Sequence, residues 1–122
     1  MDLVINNNSS TPIYLQLYSQ ISSQILNGSL QAGSQLPSIR TIAKELRISV
    51  IPVKMAWDNL DKEGFIKTLQ GRGTFVAKIT NEKKSEKKNE KVLTFAKEIY
   101  EKAKSQNITL KQLMKALKNL DV

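Results

Sequence analysis

The sequence predicts a mainly α-helical fold with one small β-hairpin: a winged helix-turn-helix followed by a two-helix C-terminal tail. Three observations carry this. Two short amphipathic stripes stand only a few residues apart around Leu46–Ser49, the spacing of a helix-turn-helix. Two β-rich runs, Phe65–Leu69 and Thr74–Ala77, flank the turn Gln70-Gly71-Arg72-Gly73, which makes a hairpin directly after the third helix. Beyond residue 79 two more helical stripes follow with no strand between them.

Each element has its own signal. Tyr14, Leu17, Tyr18, Ile21 and Ile25 form one face of a first helix, with Thr11 as cap, Pro12 at its first position and Gly28 at its end. The stretch 29–37 has no helical period and reads as an ordered loop with Leu30 and Leu36 turned inward. Ser38 starts a second helix whose buried side is Ile39, Ile42, Ala43 and Leu46, leaving Arg40, Thr41, Lys44 and Glu45 wet. Ser49 caps a third, with Val53, Ala56, Trp57 and Leu60 inward and Gly64 closing it. Pro52 has no N–H to receive that cap, so Ser49 is expected to accept from the amide of Ile51. From Thr80 to Lys91 the chain turns to Lys, Glu, Asn and Ser after the threonine, without an aliphatic or aromatic side chain, which fits either a linker or the solvated start of a helix. Val92, Phe95, Ala96, Ile99 and Ala103 then form a fourth stripe ending at Asn107. Thr109 with Gln112 makes a capping box for a fifth helix lined by Leu110, Leu113, Met114 and Leu117. The domains are thus 1–79 and 80–122.

Composition narrows function. The 122 residues allow one compact domain and an appendage. Neither cysteine nor histidine occurs, so the thiolate and imidazole chemistry of metal sites and nucleophile activation is missing. No Gly-rich phosphate loop or paired-carboxylate motif stands in for it. We expect no enzyme, no cofactor and no metal. No run of about eighteen apolar residues and no signal-peptide pattern is present, so the expected location is the cytoplasm, away from membranes. The net charge of +8 favours polyanionic partners. Its distribution is uneven: eight Lys/Arg face five Asp/Glu up to residue 78, and eleven face six beyond it. Bulk charge therefore does not single out the winged-helix segment.

From Pro12 to Val76 the motifs together resemble the GntR family of regulators. They run Pro12-Ile13-Tyr14 with Gln16, Gly28, Gly33, Leu36-Pro37-Ser38 with Arg40, Ala43, Leu46 and Ser49. The series continues through Val53, Ala56, Leu60, Glu63-Gly64 and Gly71-Arg72-Gly73-Thr74-Phe75-Val76. Each motif alone is weak; their order and spacing are specific. The short tail looks like that of the YtrA-like branch. The resemblance implies a dimeric repressor on a palindromic double-stranded DNA operator, with the third helix in the major groove and the wing tip at the minor groove.

On that basis the DNA-binding candidates are Ser38, Arg40, Thr41, Ser49, Val50, Ile51, Lys54, Arg72 and Gly73. Arg40, near a helix start, matches a family arginine that contacts DNA. Val50, Ile51 and Lys54 sit in the first turns of the third helix, the part that reaches base edges. Many relatives carry arginine at the place of Val50. Valine and isoleucine offer only apolar contacts, such as to thymine methyls, or else they pack on the protein itself. Arg72 between two glycines suits a narrow minor groove. Trp57 reads as core rather than as a base-stacking platform. The lysines at 83, 84, 87, 88 and 91 read as a solvated face or linker. Val92, Phe95, Ile99, Leu110, Leu113, Met114 and Leu117 are the expected homodimer surface, since two helices cannot bury such stripes alone. A second reading stays open: an adaptor using the winged helix to bind protein, motivated by the mild charge up to residue 78 and by Val50. The effector, if there is one, is not legible.

Overall fold

The computed structural model describes residues 1–121. The chain divides into two compact units, Met1–Thr80 and a second that begins at Asn81.

The first unit contains α1 (Ile13–Leu26), α2 (Ile39–Leu46), α3 (Val50–Lys62), β1 (Ile66–Leu69) and β2 (Gly73–Val76). Its core is the set of stripes read from the sequence: Leu17, Ile21, Ile25, Ile42, Ala43, Val53, Ala56, Trp57 and Leu60. Phe65, Ile66 and Val76 of the hairpin close it from one side, and Leu36 from the loop. Burial of these apolar side chains is the main favourable term in holding the three helices together. Tyr18 meets Phe65 edge to face, with ring centroids 6.0 Å apart, joining α1 to the start of the hairpin.

The start of α1 differs from expectation. Pro12, not Thr11, holds the N-cap position, with φ −54° and ψ 147° and no side-chain capping bond. That extended geometry suits the fixed proline φ, and its carbonyl accepts from the amides of Leu15 and Gln16. Gln16 reinforces the corner by donating to the Thr11 carbonyl at 2.8 Å.

An arm precedes α1 that no periodic pattern announces. Leu3 and Ile5 pack on the core, and their backbone neighbours are held by glutamines one helical turn apart. Gln20 accepts from the Val4 amide (2.9 Å) and donates to its carbonyl (2.6 Å). Gln16 does the same for Asn6, and Gln24 donates to the Asp2 carbonyl. Carboxamides carry both donor and acceptor, so they pair an extended backbone as a neighbouring strand would.

The tight corner between α2 and α3 is Arg47-Ile48-Ser49. Arg47 is left-handed at φ 56°, and the Ile48 amide reaches back to the Ala43 carbonyl at 3.0 Å. This is the Schellman arrangement, here with arginine where glycine is usual. Gly64, at φ +79°, closes α3 after Lys62 as expected.

β1 and β2 pair antiparallel in the register Ile66↔Val76 through Leu69↔Gly73. The stretch 33–36, expected as an ordered loop, adds to the free edge of β2. The Leu36 amide donates to Thr74 and the Val76 amide to Ser34, both at 2.8 Å. Leu36 is buried and Leu30 half-buried, as expected.

The second unit is α4 (Asn81–Ser105) and α5 (Leu110–Leu120). The Lys/Glu-rich stretch is therefore helix, not linker. Lysine and glutamate are good helix formers, and Glu82 in the first turn with Lys102 and Lys104 in the last suit the helix dipole. Its lysines are not uniformly solvated as expected: Lys87 is buried, and burial pulls the Lys91 amine below its ordinary value. The turn 106–109 repeats the earlier corner, with Asn107 left-handed at φ 59° and the Ile108 amide on the Ala103 carbonyl. The Thr109–Gln112 capping box is formed in both directions.

Candidate nucleic-acid interface

Ser38 caps α2, its hydroxyl accepting from the Thr41 amide at 3.1 Å and meeting the Thr41 hydroxyl at 2.8 Å. This pins the first turn of α2 and leaves Arg40 and Thr41 exposed. A cleft of about 340 Å³ lies between this turn and the wing, lined by Ser38, Arg40, Trp57, Gly73 and Thr74 among others. Ser38 and Arg40 thus share one concavity with Gly73, more than thirty residues further along the chain.

The tip of α3 presents Ser49, Val50, Ile51 and Lys54, all exposed. Val50 is 47% and Ile51 66% exposed, so both keep apolar surface on the outside of α3. The expected Ser49 cap is absent: the hydroxyl makes no capping bond, although the backbone has cap geometry at φ −69° and ψ 162°. Pro52 is the reason. It occupies the third helical position, where a serine cap usually finds its amide, and supplies no N–H. The Ile51 amide does not stand in for it.

At the wing, Arg72 is exposed, and its amide donates to the Leu69 carbonyl at 2.9 Å. Gln35 is a residue that the sequence did not single out. Its Nε2 donates to the Arg72 carbonyl at 3.2 Å, so the edge stretch 33–36 holds the wing tip from outside. Gly73 makes the approach feasible, because a Cβ there would stand 2.6 Å from the same nitrogen. The signal was a glutamine one residue before the Leu36-Pro37-Ser38 motif, meaningful only once the loop is known to pair with β2.

Of the expected tail surface, Val92, Phe95, Ile99, Leu110, Met114 and Leu117 are exposed. Leu113 is half-buried. Among the described residues no cluster of three or more acidic side chains could hold a metal ion, and no helix is long and apolar enough to cross a membrane.

Three helices with a helix-turn-helix corner and a paired wing define the winged-helix class, the architecture of groove-reading proteins. The chain belongs to the GntR family: residues 13–76 match the model described as bacterial regulatory proteins, gntR family. It is 47% identical over 74 residues to the HTH-type transcriptional repressor NagR of Bacillus subtilis, which covers 61% of this chain and 30% of NagR. It is 40% identical over 73 residues to the HTH-type transcriptional repressor YtrA of the same organism, covering 60% of this chain and 56% of YtrA. The chain therefore spans about a third of the one and little more than half of the other, and within the family it is YtrA-like. A transcriptional antiterminator of Listeria monocytogenes superposes over the whole chain and 91% of its own, with TM-score 0.78 and 29% identity. The DNA-binding domain of AraR, solved with operator ORX1, matches 63% of this chain and 96% of its own at TM-score 0.55 and 26% identity.

Proposed function

We propose that this chain is a sequence-specific DNA-binding transcription regulator, a repressor that binds a palindromic operator as a homodimer. The observation that carries the reading is the set of exposed side chains at three places on one winged-helix scaffold. Arg40 and Thr41 lie at the start of α2, Val50, Ile51 and Lys54 at the start of α3, and Arg72 at the wing. In this reading Arg40, Ser38, Thr41 and Ser49 hold phosphates and fix register, whereas α3 enters the major groove and reads bases. Arg72, with Gly73 letting the backbone approach, enters the minor groove, whose negative potential attracts a guanidinium. The repressor names of NagR and YtrA and the operator complex of AraR support the same assignment.

The exposed stripes Val92–Ile99 and Leu110–Leu117 support the dimer. Two copies joined through them would place two α3 tips about one duplex turn apart (~34 Å), so that weak half-sites add up. The reading is tested by fluorescence anisotropy of the full chain with duplex recovered by selection and with random duplex, at several salt concentrations. We expect the selected duplex to bind on the order of 10³-fold or more tighter. Equal affinity for both would overturn it.

A further inference from the structure

We propose that the tip of α3 reads pyrimidine 5-methyl groups in the major groove, so that thymine, or 5-methylcytosine in its place, is what Val50, Ile51 and Met55 recognise. The inference rests on the DNA-binding reading above and specifies what that site takes. Met55, which the sequence pattern leaves unassigned, is 42% exposed. It stands one turn beyond Ile51, on the same face of α3. Ile51 and Met55 share the outer face of α3, and Val50 adds exposed apolar surface beside Ile51 at the start of the helix.

The chemistry of that surface excludes most base contacts. Guanine and adenine are read by donors and acceptors of Arg, Lys, Asn or Gln, and cytosine by an acceptor for its amino group. Val50 and Ile51 have neither, and Lys54 is the one amine among the first five residues of α3. In the major groove the carbon surface a pyrimidine edge adds is its 5-methyl group. Val50 and Ile51 are β-branched and stiff at χ1, so little side-chain freedom is lost in docking them. Pro52 fixes the backbone beside them. DNA is the occupant favoured by the surroundings, because Arg40, Lys44, Arg47 and Lys54 are all exposed on α2, the corner and α3 and complement phosphate rather than an apolar groove.

The test uses the full chain and the duplex recovered by in vitro selection from a random pool. At each required major-groove thymine we substitute deoxyuridine, cytosine and 5-methylcytosine in turn. One buried methyl corresponds to a fall of about fourfold in affinity from thymine to uracil, and 5-methylcytosine should exceed cytosine by a similar factor. Ile51→Ala should flatten both differences; Ile51 is exposed and outside the core, and the wild-type comparison decides without it. Uracil binding as well as thymine, with 5-methylcytosine no better than cytosine, would overturn the proposal while leaving specific binding intact. Selection that enriches nothing over random duplex would instead remove the DNA-binding reading beneath it.

Discussion

Replacing Gly73 with alanine tests the wing geometry most sharply. Gly73 has φ +113°, a conformation that costs a residue with a Cβ about 1–3 kcal/mol. The added Cβ would also meet Gln35 Nε2 at 2.6 Å, so the flexible glutamine must swing away and release the Arg72 carbonyl. Losing that bond adds about 0.5–1.5 kcal/mol. The total is about 1.5–4.5 kcal/mol. Urea unfolding followed by the fluorescence of Trp57, the one tryptophan of the chain and a core residue of the first unit, measures it directly. In a Gln35→Ala background the steric part disappears and only the backbone strain remains, so the two substitutions should couple by about 0.5–1.5 kcal/mol. A Gly73→Ala protein within about 0.5 kcal/mol of the parent, or the same cost in both backgrounds, would refute the clamp.

Other outcomes follow from the same geometry. Arg40→Ala and Arg72→Ala should each weaken binding to selected duplex about tenfold or more while leaving the melting temperature unchanged, because both side chains are exposed. Trp57→Ala should cost about 3–5 kcal/mol and lose the fold of the first unit in urea or thermal melts, since Trp57 is buried beside Val53 and Leu60 in the core. Phe95→Asp with Leu117→Asp should convert a dimer to a monomer in sedimentation velocity, because both lie on exposed apolar stripes. Gln20→Ala should remove both bonds to Val4 and increase proteolysis of the arm without changing DNA affinity.

The helices of the first unit were legible because their apolar positions repeat with the helical period, from Leu17 to Leu60, and burial enforces that period. The hairpin was legible from its glycine-bearing turn. What escaped depends on contacts between segments distant in sequence. Ser34-Gln35-Leu36 has no periodic signature, so its pairing with β2 and the hold of Gln35 on Arg72 appear only when the chain is folded. The arm escaped because glutamines at 16, 20 and 24 look like an ordinary wet face; their four-residue spacing was the available signal. Ser49 shows how a local rule fails: the motif promises a cap, and Pro52 removes the amide that would use it. The start of α4 was ambiguous because lysine and glutamate suit both a helix and a solvated linker. The DNA-contact candidates were placed by pattern on exposed positions, whereas Met55 becomes a candidate only through its exposure in the fold.

In the proposed function this winged helix reads a palindrome as a pair. Selection of bound duplex from a random pool by the full chain tests it in a single measurement. We expect an enriched inverted repeat, its half-sites about one helical turn apart and carrying thymines where the α3 tips meet the major groove. Recovery of sequences no different from the starting pool would contradict it.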